Sequence, residues 1–150
     1  MQERITPNTL YEQCPRLATH LIGLSSIPES AGISASLRHL ITLRASQING
    51  CGFCQHMHSD EARSNGEEQQ RLDVLPAWRE LGCFSQEERA ALAWTEALTL
   101  VANQAVEDHV FQQALDVFGE QRLIELTTII LEINSWNRIA VGFRFQPEIK

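Results

Sequence analysis

The sequence predicts an all-α fold, a compact helical domain over residues 1–150 that oligomerises through its helices. Three observations predict it. Apolar residues recur at steps of three and four along most of the chain. Helix-start and helix-stop residues fall in register with those stripes. No stretch shows sustained period-two alternation bounded by turn dipeptides, so no sheet is expected.

From the N-terminus, Leu10, Cys14, Leu17, Leu21 and Leu24 form one stripe and predict a helix over Pro7 to Leu24. The stretch from Ser25 to Gly32 holds Ser, Pro and Gly and reads as a loop. Ser34 is placed to cap the next helix, whose buried side is Leu37, Leu40, Ile41 and Leu43 and which runs to Ile48. Asn49-Gly50 punctuates the pattern, Cys51 begins a new helical stretch, and Asn65-Gly66 ends it. Pro76 restricts Glu67 to Leu81 to two short pieces or one kinked one. Ser85 with Glu88 forms a capping box before a helix to about Ala102, with Leu92, Ala93, Leu98 and Val101 among its buried positions. Val106 to Phe118 is the next helix, closed by Gly119. Glu120 to Phe143 is the longest, and its wide stripe (Leu123, Leu126, Ile129, Ile130, Ile133, Trp136) suits packing on two sides, one of them another subunit.

Composition narrows the function classes. With 150 residues, 43% hydrophobic, the chain can bury a core without a metal or disulfide scaffold. Twelve Lys and Arg against 19 Asp and Glu give a net charge of -7, and no basic run interrupts it. Nucleic acid and anionic membranes are therefore poor partners. The start MQERITPNTL has no apolar core of a signal peptide, and no apolar run reaches the roughly 20 residues of a membrane span. A cytoplasmic location is expected, where a C-x-x-C pair is reactive or metal-binding rather than a staple. Cys14 and Cys83 stand alone and read as small buried apolar residues.

The chemistry concentrates in Arg44 to His58. Cys51 and Cys54 form a C-x-x-C, and in a helix Cys51, Cys54 and His58 lie on one face at i, i+3 and i+7. A thiol reacts as thiolate, with a free pKa of about 8.5 that a helix N-terminus lowers. Gly50 and Gly52 let the chain turn sharply into that helix. One thiol can attack while the other resolves the product as a disulfide, and His58 is close enough to take the proton of Cys54. These are the parts for peroxide reduction through a sulfenic acid. Zinc is the competing reading, with Cys51, Cys54, His58 or His56, and His39 as ligands, but a closed structural site usually shows a second clustered pair and none is present. No metal and no cofactor is expected. Haem attachment needs His directly after the second cysteine, where Gln55 stands. Arg44 and Ser46 read as structural, as an ion-pair partner and a helix hydrogen-bonding group; Trp78, Trp94 and Trp136 read as core or interface.

The run SQINGCGFCQHMHSDEA resembles the C-x-x-C-x-x-x-H signature of the alkylhydroperoxidase D (AhpD) family, within the wider carboxymuconolactone decarboxylase-like group. RLDVLPAWRE, ERAALAWTEALT and INSWNRIAVGF are similar to its small single-domain branch, so the resemblance covers about residues 37–143. It implies an all-helical fold, homo-oligomers (trimers or hexamers) and a disulfide-forming, thiol-dependent peroxidase. It further implies Cys54 as the attacking thiol, Cys51 as the resolving one and His58 in a proton relay. The substrate would be a peroxide, and the reductant a dithiol, such as a dihydrolipoyl group on a partner protein. One departure stands out. The family pattern has a glutamate twelve residues before the first cysteine, and here that position is His39, which can move a proton but supplies no fixed negative charge. Two other functions remain open: a slow or non-catalytic redox-responsive protein, and a decarboxylase of lactone substrates. Members with the latter chemistry generally lack the C-x-x-C.

Overall fold

Proline and glycine decide where the helices break. The computed structural model describes residues 1–150, and every regular element in it is helical. Helix α1 (Pro7–Gln13) and helix α2 (Pro15–Leu24) replace the one long helix predicted there. Cys14 takes a non-helical conformation (φ -139°, ψ 68°) because Pro15 disfavours the α region for the residue before it. No residue of α1 or α2 is buried, so the N-terminal stripe lies on the body rather than within it. Cys14 is only half-buried and Cys83 is exposed, which corrects the expectation that both are core residues.

A single 3-10 turn (Glu29–Ala31) leads to α3 (Ala35–Ile48), capped as expected by Ser34, whose side chain accepts from the Leu37 N–H at 3.1 Å. Helix α4 (Gly52–Ser64) follows the turn at Asn49-Gly50, where Gly50 adopts φ 65°. Pro76 separates α5 (Gln69–Asp73) from a 3-10 segment (Leu75–Glu80). Helix α6 (Gln86–Thr99) carries the full Ser85–Glu88 capping box but stops before Val101, which is exposed rather than buried. Helix α7 (Asp108–Phe143) is broken at Gly119 (φ 73°, ψ 168°), a conformation open essentially to glycine only.

Helix α3 is central. It packs against α4, α6 and α7, so Leu40, Ile41, Thr42 and Leu43 are all buried in succession. That is why no narrow stripe marks it in the sequence. One core layer joins Leu37 and Ile41 to Trp94, Leu126 and Ile130. A second joins Leu40 and Leu43 to Leu72, Leu75 and Trp78. A third, small one holds Cys51 and Cys54 against Ala140 and Phe145. No helix is long and apolar enough to cross a membrane.

Candidate active site

Local hydrogen bonding puts the two cysteines where they are. The Cys51 N–H donates to the Ser46 carbonyl at 3.0 Å, which folds the chain back after α3 and makes Cys51 the N-cap of α4. The Cys51 sulfur accepts from the Cys54 N–H at 3.2 Å, so one of the free first-turn amides of the helix points at Cys51. The two sulfurs are bonded (2.07 Å), and each residue is only 1% exposed.

A buried amide network clamps this turn onto α7. Asn137, fully buried, donates from Nδ2 to the Ser46 Oγ at 3.0 Å and accepts at Oδ1 from Asn49 Nδ2 at 2.9 Å. Asn49 Nδ2 also reaches Asn134 Oδ1 at 3.0 Å. The buried Asn137 amide is thereby satisfied at both ends, as a low-dielectric interior requires. On the far side of α3, Arg44 is the structural ion-pair residue the sequence suggests. Its Nε donates to Glu96 at 2.8 Å, and the same carboxylate accepts from Trp78 Nε1 at 2.8 Å and from Arg79. Burial alone would push the Glu96 carboxyl up, but these three donors outweigh it and hold it below the usual range.

Cys54 opens onto a cavity of about 420 Å³ between α4 and α7, and His58 and Glu61 line it beside Cys54. Cys51 is not among its lining residues and faces a separate recess beside Gly50 and Val141. The face expected to hold Cys51, Cys54 and His58 is therefore Cys54, Met57, His58 and Glu61, with Cys51 at its end. Aromatic pairs bound the cavity. Phe53 meets Phe145 edge-on at 5.4 Å, and Tyr11 meets Trp136 edge-on at 6.4 Å. The rest of the wall is mainly aliphatic, with Arg38 and Glu132 as its other charged residues.

His58 Nδ1 lies 2.9 Å from Glu61 Oε2, one turn along the same helix. Its Nε2 is buried with no hydrogen-bond partner. The hydrogen bond from His58 holds the Glu61 carboxyl below the usual range. A carboxylate at Nδ1 favours the tautomer whose Nε2 is a free acceptor. His39 does not line the cavity; burial pushes its imidazole down, against a partial opposing pull from Glu61. His56 stands off the cavity, 3.8 Å from Asp60. No cluster of three or more His, Cys, Asp or Glu is arranged to hold a metal ion.

Glu61, Glu132, Asn137 and Phe145 are the residues that motif reading passed over. Glu61 was legible as an i+3 partner of His58. Glu132 and Asn137 lie some eighty residues from the motif and carry no local signal.

A model of the carboxymuconolactone decarboxylase family matches residues 16–97. YdfG of Bacillus subtilis (strain 168), an uncharacterised protein, is 36% identical over 142 residues, 95% of each chain. The chain belongs to the carboxymuconolactone decarboxylase family. Within that family its fold is AhpD-like. The crystal structure of ATU0492 from Agrobacterium tumefaciens, a protein of unknown function suggested to be the antioxidant defence protein AhpD, superposes with a TM-score of 0.89. The two share 36% identity, over 99% of this chain and 100% of that one. The apo structure of the debrominase Bmp8, 22% identical, aligns over 91% of this chain and 74% of its own with a TM-score of 0.76, which marks the shared fold.

Proposed function

We propose that this protein is a thiol-dependent peroxidase working through a reversible Cys51–Cys54 disulfide. One observation carries the reading: Cys54, and not Cys51, opens onto the cavity that it shares with the His58–Glu61 pair. In the reduced protein, His58 Nε2 accepts the Cys54 proton and Glu61 supports the resulting imidazolium. The Cys54 thiolate attacks the peroxide and becomes a sulfenic acid. Cys51, bonded to Cys54 in the oxidised state, then resolves it with loss of water.

Reduction runs the other way. A dithiol entering the cavity meets Cys54, and Cys51 leaves as thiolate, favoured by the Cys54 N–H and the start of α4. The family resemblance suggests a dihydrolipoyl group on a partner protein as that dithiol. His39 takes no hydrogen bond in the site; its contribution is to the local field around Glu61 and His58. The reading also includes a homo-oligomer, a trimer or hexamer. It is supported by Ile124, Leu131 and Val141, each about half-exposed along α7.

The test is steady-state consumption of an organic hydroperoxide with a dithiol reductant. Cys54→Ser and Cys51→Ser are each expected to abolish turnover, and His58→Gln to slow it. Consumption by Cys54→Ser at the unmutated rate would overturn the assignment.

A further inference from the structure

Two glutamates share the Cys54 cavity, on opposite walls and in opposite surroundings. Glu61, on α4, is bonded to His58. Glu132, on α7, sits among Ile129, Ile133 and Trp136 with no cation within ion-pairing distance. Its Oε1 accepts from Trp136 Nε1 at 3.3 Å, and its Oε2 has no partner in the protein. Glu132 is half-buried, and Oε2 keeps some accessible surface. A proton on this carboxyl is therefore presented to whatever fills the cavity.

The geometry points to Glu132 as the general acid of the site, the group that protonates the oxygen leaving as the O–O bond breaks. This rests on the peroxidase reading. It adds to that reading, in which the His58–Glu61 pair takes the Cys54 proton, a separate group on the other wall to protonate the leaving oxygen. Burial pushes the Glu132 carboxyl up, while Trp136 and the more distant Arg38 and His58 pull it only partly back. Glu61 is held down in the same cavity. Two carboxyls driven apart by their surroundings are the usual basis for separate acid and base roles.

The Cys54 thiolate bonds to the terminal oxygen of R–O–O–H, and the O–O bond breaks with its electron pair going to R–O. Glu132 gives its proton to that oxygen. The products are Cys54 sulfenic acid, the alcohol R–OH and the Glu132 carboxylate; sulfur is oxidised by two electrons and the peroxide reduced by two. The Cys51 thiol then displaces the sulfenic hydroxyl, its proton leaving with it as water. The proton held on His58 returns to Glu132 across the cavity.

The experiment compares two oxidants in single-turnover oxidation of the reduced full-length protein. Cumene hydroperoxide leaves as a basic alkoxide and needs the acid; peracetic acid leaves as acetate and does not. Glu132→Gln is expected to slow the first by roughly a hundredfold or more and the second by less than about threefold. The peracetic acid rate thus also reports that the variant is folded. In the unmutated protein, the cumene hydroperoxide rate is expected to fall as pH rises above the ordinary glutamate range. Glu132→Gln lacks that limb. Arg38 on α3, His58 and Glu61 on α4 and Tyr11 on α1 share the cavity, but Glu132→Gln leaves them in place. Trp136→Phe removes the N–H that favours the carboxylate, so the limb moves to higher pH. Equal losses with both oxidants, or no loss with either, would overturn the role of Glu132. An unmutated protein that reacts with neither oxidant would overturn the peroxidase reading and this role together.

Discussion

Replacing Glu61 by Gln isolates the negative charge beside His58, in a site where position 39 carries a histidine. The substitution keeps the size of the side chain and an oxygen that can accept from His58 Nδ1, and it removes only the negative charge 2.9 Å away. Unit charges about 4 Å apart interact by roughly 1 kcal/mol with water-like screening and about 4 kcal/mol at the effective screening of a protein surface. His58 is 12% exposed but Glu61 is 47% exposed, so the weaker end applies. At the 2.9 Å separation that weaker end is about 1.4 kcal/mol, a factor of ten in rate. Glu61→Gln is therefore expected to slow peroxide reduction about tenfold at low salt, with the difference shrinking as salt screens the exposed carboxylate. Glu61→Ala also loses the orientation of the ring and should fall further. Stopped-flow oxidation of the reduced protein measures both. A second readout is independent of turnover. Glu61 offsets part of the burial that depresses His39, so the His39 imidazole should titrate lower in Glu61→Gln, as followed by NMR. A folded Glu61→Gln protein within twofold of the unmutated rate at low salt would refute the role of the pair.

The remaining predictions concern the frame that holds the site. Asn137→Ala removes the hydrogen bond that Ser46 Oγ accepts and one of the two that Asn49 Nδ2 donates, and is expected to cost about 1–3 kcal/mol in urea unfolding, with slower disulfide formation. Glu96→Gln leaves Arg44 and Arg79 uncompensated and should cost about 3 kcal/mol near neutral pH, lowering Tm by roughly 6–12 °C. Because the Glu96 carboxyl is held below its ordinary pKa, its contribution is complete above that value and lost as pH falls through the folded one. The stability gap between the unmutated protein and Glu96→Gln should therefore close in acid and stay constant from about pH 5 upward.

Local signals made much of this legible in advance. The Ser34 cap, the Ser85–Glu88 box, the Gly50 turn and the Pro76 break all act within a few residues and were readable from spacing. So was the adjacency of Cys54 and His58, one helical turn apart. The misses have two causes. At Cys14, apolar periodicity suggested a continuous helix, but the backbone constraint from Pro15 won. At Cys83 and Val101, residue type suggested burial, but both fall just outside the ends of α6, where nothing packs on them. The wall of the cavity opposite Cys54 was legible as an apolar stripe but not as part of a site. Glu132 reads in sequence as one polar residue in a wide apolar stripe, and only the packing of α7 on α3 and α4 brings it into the cavity that Cys54 lines. Phe145 lies in a segment that reads as a tail, yet it is 5% exposed and meets Phe53 edge-on.

The central claim is that Cys54 is the thiol that meets the peroxide. Reduced Cys51→Ser protein treated with one equivalent of cumene hydroperoxide and a sulfenic acid trap such as dimedone measures this directly, with the adduct mapped by peptide mass spectrometry. Exposed Cys83 serves as the internal control for unassisted oxidation. The expected result is an adduct on Cys54 that forms much faster than any on Cys83, and no comparable adduct on Cys51 in the Cys54→Ser protein. Rapid trapping on Cys51 in Cys54→Ser, or labelling of Cys54 no faster than of Cys83, would contradict it.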